Sequence, residues 1–140
     1  MSNITLTDTQ ALALAKQYRD ASSALRNYRV ANDEKLSQPM KDRLKLIEAS
    51  LRDAATDMTT AAVDIIIDES KTSLAALGAV TEDATAVLET IKGIKRVLSV
   101  ATALLGLAAA IPTGNPKEVY EAFQVLRELL PVKATAKQLA

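Results

Sequence analysis

The sequence predicts an all-α fold: an elongated antiparallel up-down bundle with three long helices, a shorter C-terminal fourth and coiled-coil-like seams. Three observations lead there. Of 140 residues, 25 are Ala and 19 are Leu, both strong helix formers, while Gly and Pro number four each. Apolar residues recur at steps of three and four, the spacing of one helix face. The eight Ile and nine Val are scattered through those patterns, so they do not argue for strands. Breaks in the pattern fall at Ser37–Pro39, Gly78–Thr81 and Pro112–Pro116.

The first helical segment, 8–36, opens on Thr7, with Gln10 three residues on. That pair fits a capping box, in which each side chain satisfies an N–H the helix cannot. Its seam, Ala11, Leu14, Tyr18, Ala21, Leu25 and Tyr28, steps 3, 4, 3, 4, 3. Heptad spacing of this kind asks for a partner helix along the seam.

The second segment, 38–77, takes Ser37 as N-cap and Pro39 in the first turn, where a missing N–H costs nothing. Met40, Leu44, Ile47, Leu51, Ala54, Met58, Ala61 and Ile65 continue the 4, 3 alternation. No Gly or Pro interrupts it before Gly78, which suits the position just past a helix end. Unbroken, it would be about 60 Å long at 1.5 Å per residue. Val63, Ile66, Ile67, Leu74 and Leu77 form a second apolar stripe, rotated from the first. The expectation is that its first part packs on the first segment and its last part on the third.

The third segment, 82–111, has Glu82 and Asp83 in its first turn, where the helix dipole favours acids. The fourth, 116–130, has Asn115 as N-cap, Pro116 at the first helical position and Glu118 two residues later. Val119, Ala122, Phe123, Leu126, Leu129 and Leu130 line its apolar face. Residues 1–131 are expected to form one helical-bundle domain, and 132–140 a frayed tail. The N-terminus lacks a basic n-region and an apolar h-region, so the expectation is cytoplasmic synthesis without a secretory signal.

Composition narrows the chemistry. There is no Cys and no His. A thiol nucleophile, a Ser-His-Asp triad and His- or Cys-ligated metal are therefore excluded. The charge is balanced, 17 basic against 17 acidic residues, and aromatics number four, which argues against a nucleic-acid surface. The glycines are isolated and form no phosphate-cradling loop. The expectation is a non-enzymatic chain with no cofactor and no small-molecule substrate.

Three constellations remain. Asp53, Asp57, Asp64 and Asp68, spaced 4, 7, 4, share one arc of an unbroken second helix. Carboxylates so placed can hold Mg²⁺ or Mn²⁺, which would make the chain a metal-dependent hydrolase. No second acidic cluster faces them, and Lys16 and Arg19 would fall opposite Asp53–Asp57. The simpler reading is a solvated face.

Val97 to Ile111, VLSVATALLGLAAAI, is apolar apart from Ser99 and Thr102. It is shorter than the 20 or so residues that span a bilayer, and a core helix accounts for it. Within it Ser99, Thr102, Ala103, Gly106 and Ala110 cluster on one arc. Small residues at four-residue spacing let two helix backbones approach closely, so this arc is the candidate interaction face. In outline, long helices with a short apolar segment resemble helical pore-forming components, although no motif matches residue by residue. That outline implies a membrane-active alternative, of pore-forming or lysis type. It would bring Val97, Leu98, Leu104, Leu105, Leu107 and Ile111 to lipid and the basic trio Lys92, Lys95 and Arg96 to headgroups.

The resulting expectation is an interaction or assembly protein that binds a partner chain or itself through helical faces. Membrane insertion is the alternative and the acidic-stripe hydrolase the third reading.

Overall fold

The computed structural model describes residues 3–60, 65–90 and 93–130. The fold is all-α with one small sheet. In chain order it has β1 (Asn3–Thr5), α1 (Asp8–Ala31), α2 (Gln38–Thr60), β2 (Ile66–Asp68), α3 (Leu74–Thr90), α4 (Ile94–Ala110) and α5 (Pro116–Leu129). Short 3-10 turns stand at Asp33–Lys35 and Ile111–Thr113.

The capping box that opens α1 is present: Thr7 Oγ1 accepts from the Gln10 N–H at 3.1 Å, and Gln10 Oε1 from the Thr7 N–H at 2.9 Å. All six residues of the first seam are buried. α1 stops at Ala31, short of the expected 36, where Asn32 caps the Tyr28 carbonyl. α2 starts beside Ser37, whose hydroxyl accepts from the Met40 N–H. Paired residues 33–41, 29–48 and 22–52 show α1 and α2 running in opposite directions.

The second helix does not run to residue 77. α2 ends at Thr60, and the chain next forms strand β2, antiparallel to β1 with Ile4 opposite Ile67. Residues 65–67 are three consecutive Ile, a β-branched run that favours a pleated strand over a helix. Ile65 and Ile67 are fully buried. The turn that follows is closed by side chains. Asp68 Oδ1 accepts from the Ser70 N–H and hydroxyl, Glu69 Oε2 from the Leu74 N–H at 2.7 Å, and Ser73 Oγ from the Ala76 N–H.

That last bond caps α3, which begins eight residues earlier than expected. Gly78 lies inside α3 rather than past a helix end, and Leu74 and Leu77 belong to it. The expected third helix, 82–111, is two helices: α3 ends at Thr90, and Gly93 is the N-cap of α4. α3 packs on α1, where Gln17 donates to the Gly78 carbonyl at 3.3 Å and the Tyr18 and Thr81 hydroxyls are hydrogen-bonded at 3.2 Å. Neighbouring stretches 10–17 with 74–78, and 24–32 with 88–90, make α1 and α3 parallel. On its other side α2 packs on α4, the second half of the expected third segment.

α5 begins as the sequence predicts, with Asn115 Oδ1 accepting from the Lys117 and Glu118 N–H groups. It runs antiparallel to α4, because Arg96 near the start of α4 donates to the Leu129 carbonyl at the end of α5. One apolar core joins all five helices and β2. The expected tail, 132–140, lies outside the described residues.

Candidate interaction face

The central question is what covers α4. Its inward side is a continuous stripe: Val97, Val100, Ala101, Leu104, Leu107, Ala108 and Ile111 are all fully buried. Four of the residues assigned to lipid, Val97, Leu104, Leu107 and Ile111, are thus core residues in this fold. Leu98 and Leu105 are half-buried at the stripe's edge. Lys95 and Arg96 are exposed, and Lys92 lies outside the described residues.

The outward side carries the small residues. Ser99, Thr102 and Gly106 are exposed, and Ala103 and Ala110 are half-buried. A Cβ added at Gly106 would meet nothing within 4 Å. Ala103 and Ala110 pack against the core at the edge of the arc.

Ser99, Thr102 and Ala103 of the arc, with Lys95 and Leu98, floor a shallow groove of about 610 Å³, and Gly106 and Ala110 continue the arc along α4 beyond it. Arg43 of α2 stands on one side of the groove, and Val125 and Leu129 of α5 on the other. The sequence pattern marks Leu129 only as part of the α5 apolar face and does not mark Arg43 or Val125 as walls. The available signal is an apolar residue on an otherwise polar helix face. Leu46, one turn along α2 from Arg43, is 67% exposed, and Val125 is 55% exposed.

α2 and α4 run parallel, so position along the groove can be followed on both. Arg43 neighbours Lys95 at one end, and Asp57 and Thr60 neighbour Pro112 and Thr113 at the other. The helical repeat puts Arg43, Leu46, Ser50, Asp53 and Asp57 on the same flank of α2. Glu118 and Glu121 lie seven and four residues before Val125, hence on the same side of α5 and toward the Asp57 end. Along α2 and α4 the face is therefore basic at one end and acidic at the other, and on α5 Glu128, three residues after Val125, adds an exposed acid near the basic end. The N-termini of α2 and α4 reinforce the positive end, and their C-termini the negative end.

The acidic stripe itself is dispersed. Asp53 and Asp57 are exposed on α2, Asp68 belongs to β2, and Asp64 lies outside the described residues. Among the described residues, no three acids come close enough to share a metal ion. Lys16 pairs with Asp20 at 3.0 Å on its own helix, not with the stripe. Asp68 is held below the usual carboxylate range, chiefly by the Ser70 hydroxyl.

The strongest electrostatic feature lies on the covered side of α2 and has no signature in the sequence pattern. Glu48, 3% exposed, receives two bonds from Arg29, Nε to Oε2 at 2.7 Å and Nη2 to Oε1 at 3.1 Å. The Glu48 carboxylate raises the Arg29 pKa. Ser22 donates to the Glu48 carbonyl at 2.9 Å and accepts from Arg52. The group ties α1 to α2 and contains no nucleophile poised against a base. Tyr18 is likewise structural, since burial pushes its hydroxyl above its ordinary value and keeps it neutral.

Among the described residues, one stretch is long and apolar enough to cross a membrane by length and composition: Ile94–Thr113, 20 residues whose most apolar 18-residue window has a mean hydropathy of 1.7. The helical run exceeds the 97–111 segment because Ile94 begins α4 and the 3-10 turn extends it. In this fold 39% of its most apolar window is buried. The chain matches no protein family, no curated protein and no solved structure.

Proposed function

We propose that this is a non-catalytic interaction or assembly protein that docks another helical chain on the outward face of α4. The observation that carries the reading is the exposed arc of Ser99, Thr102 and Gly106 on a helix otherwise packed into the core. A floor of small residues lets an incoming backbone approach closely, and the exposed Leu46 and Val125 give it apolar edges to bury. The alternating helix directions fit an up-down bundle with a coiled-coil-like α1–α2 seam, a rigid support for such a face.

Light scattering and partner capture test the reading, with wild type set against Gly106→Trp, which raises a bulky ring on that arc. An assembly formed by wild type and lost in Gly106→Trp is the expected result. A strictly monomeric chain that holds no partner would overturn it.

A second reading rests on the 20-residue run Ile94–Thr113. In it, α4 leaves the core and inserts into lipid, with Lys95 and Arg96 at the headgroups. Flotation and dye release with anionic vesicles separate the two. Thr102→Asp is the informative variant, because it places a charge in the inserting segment at an exposed site. Unchanged dye release in Thr102→Asp removes the insertion reading.

A further inference from the structure

Building on the docking reading, we infer that the occupant of the α2–α4–α5 groove is a second copy of this chain. The two copies are related by a two-fold axis that lies in the interface, perpendicular to the helices and near Thr102. The argument is charge complementarity. One end of the face carries Arg43 and Lys95, and the other Asp53 and Asp57. Neither end is neutralised by an ion pair among the described residues.

A face polarised end to end is complementary to itself once it is turned around. A two-fold axis across the helices lays each α2 against its mate in the opposite direction. It sets Arg43 of one copy opposite Asp57 of the other, and repeats the contact at the far end. Such an interface is isologous and closes after two copies. The same rotation brings the two α4 helices together antiparallel, Thr102 against Thr102 and Gly106 against Leu98 of the other copy. Lys95 then meets the C-terminal end of the opposing α4, which a cation favours. A parallel arrangement would bring like charges together at both ends and is disfavoured.

Size sets the strength. Three helices roughly 9 Å apart and about 20 Å of rise from Arg43 to Asp57 give a face on the order of 500 Å² per protomer. That is at the low end for specific association. A face of that size suits a weak, reversible dimer, weakened by added salt because its charges lie at the rim.

Charge reversal at exposed positions tests this without touching the core. Arg43→Glu with Lys95→Glu makes both ends acidic, and Asp53→Lys with Asp57→Lys makes both ends basic. Each doubly substituted chain should keep the wild-type circular dichroism and self-associate roughly tenfold more weakly or worse. An equimolar mixture of the two should recover association in sedimentation velocity, as a one-to-one heterodimer. A mixture that stays monomeric overturns the inference, as does a wild type that stays monomeric through high micromolar concentration. A monomeric wild type that still captures another protein, with capture lost in Gly106→Trp, overturns the second copy and leaves the docking reading standing.

Discussion

The inward and outward faces of α2 and α4 are built from similar chain and do opposite things. On α4 both faces are poor in charge. The inward one carries branched side chains that are fully buried, whereas the outward one carries Ser99, Thr102 and Gly106 in the open. On α2 both faces carry carboxylates. Glu48 is buried and clasped by Arg29, whereas Asp53 and Asp57 stand exposed. Hydropathy alone would treat α4 as one apolar rod, and charge alone would treat Glu48, Asp53 and Asp57 alike. Covering distinguishes them. A residue type means core or surface only once its neighbours are known.

Substitutions on opposite faces should separate cleanly. Leu104→Ala removes a fully buried side chain from the α4 stripe and should cost about 3 kcal/mol in denaturant unfolding, the usual scale for a core Leu. Thr102→Ala, two residues away, should cost well under 1 kcal/mol, as exposed sites do. Equal losses for the two would erase the difference between the faces.

Arg29→Met is the corresponding test on α2. It leaves the Glu48 carboxylate buried without its partner and should destabilise by about 2 kcal/mol, reduced from the fully buried case because Arg29 is partly exposed. Asp57→Asn should leave unfolding unchanged.

Gly106→Ala should move stability the other way. The added methyl meets nothing within 4 Å and the backbone is helical, so the folded chain should gain about 0.5–1 kcal/mol. Self-association should weaken in the same variant, because the methyl stands between two closely approaching backbones. A thermal scan and a dilution series on one sample read both effects.

The smallest effect is at the β2 turn. The folded-state pKa of Asp68 is depressed, so its contribution is present above the ordinary carboxylate range. It is lost as pH falls through the lowered value. Ser70→Ala should bring the Asp68 titration, followed by NMR, back toward that range.

Much of this was legible in the sequence, and the gaps have physical causes. The starts of α1 and α5 were readable because Thr7–Gln10 and Asn115–Pro116 are local signals that satisfy N–H groups within a few residues. The α1 seam was readable because its partner, α2, follows immediately. The strand at Ile66–Asp68 was hidden by the absence of Gly or Pro, which made an apolar period look continuous. The three consecutive Ile, followed by the polar cluster Asp68 to Ser73, were the signals for a strand and a turn. Gly78 misled in the other direction, since a helix tolerates an isolated Gly at modest cost.

For the site, the small-residue arc was readable from four-residue spacing alone. Its walls were not, because Arg43 and Val125 come from helices whose placement against α4 is tertiary. The Arg29–Glu48 pair escaped for the same reason: the residues are nineteen apart in sequence and meet only once the hairpin register is set.

An amide NMR dilution series tests the central claim most directly. Shifts should move with concentration at Arg43, Lys95, Ser99, Thr102, Gly106 and Val125, and stay still along the α1 and α3 surfaces. Spectra independent of concentration, or changes centred away from the α4 floor, would contradict it.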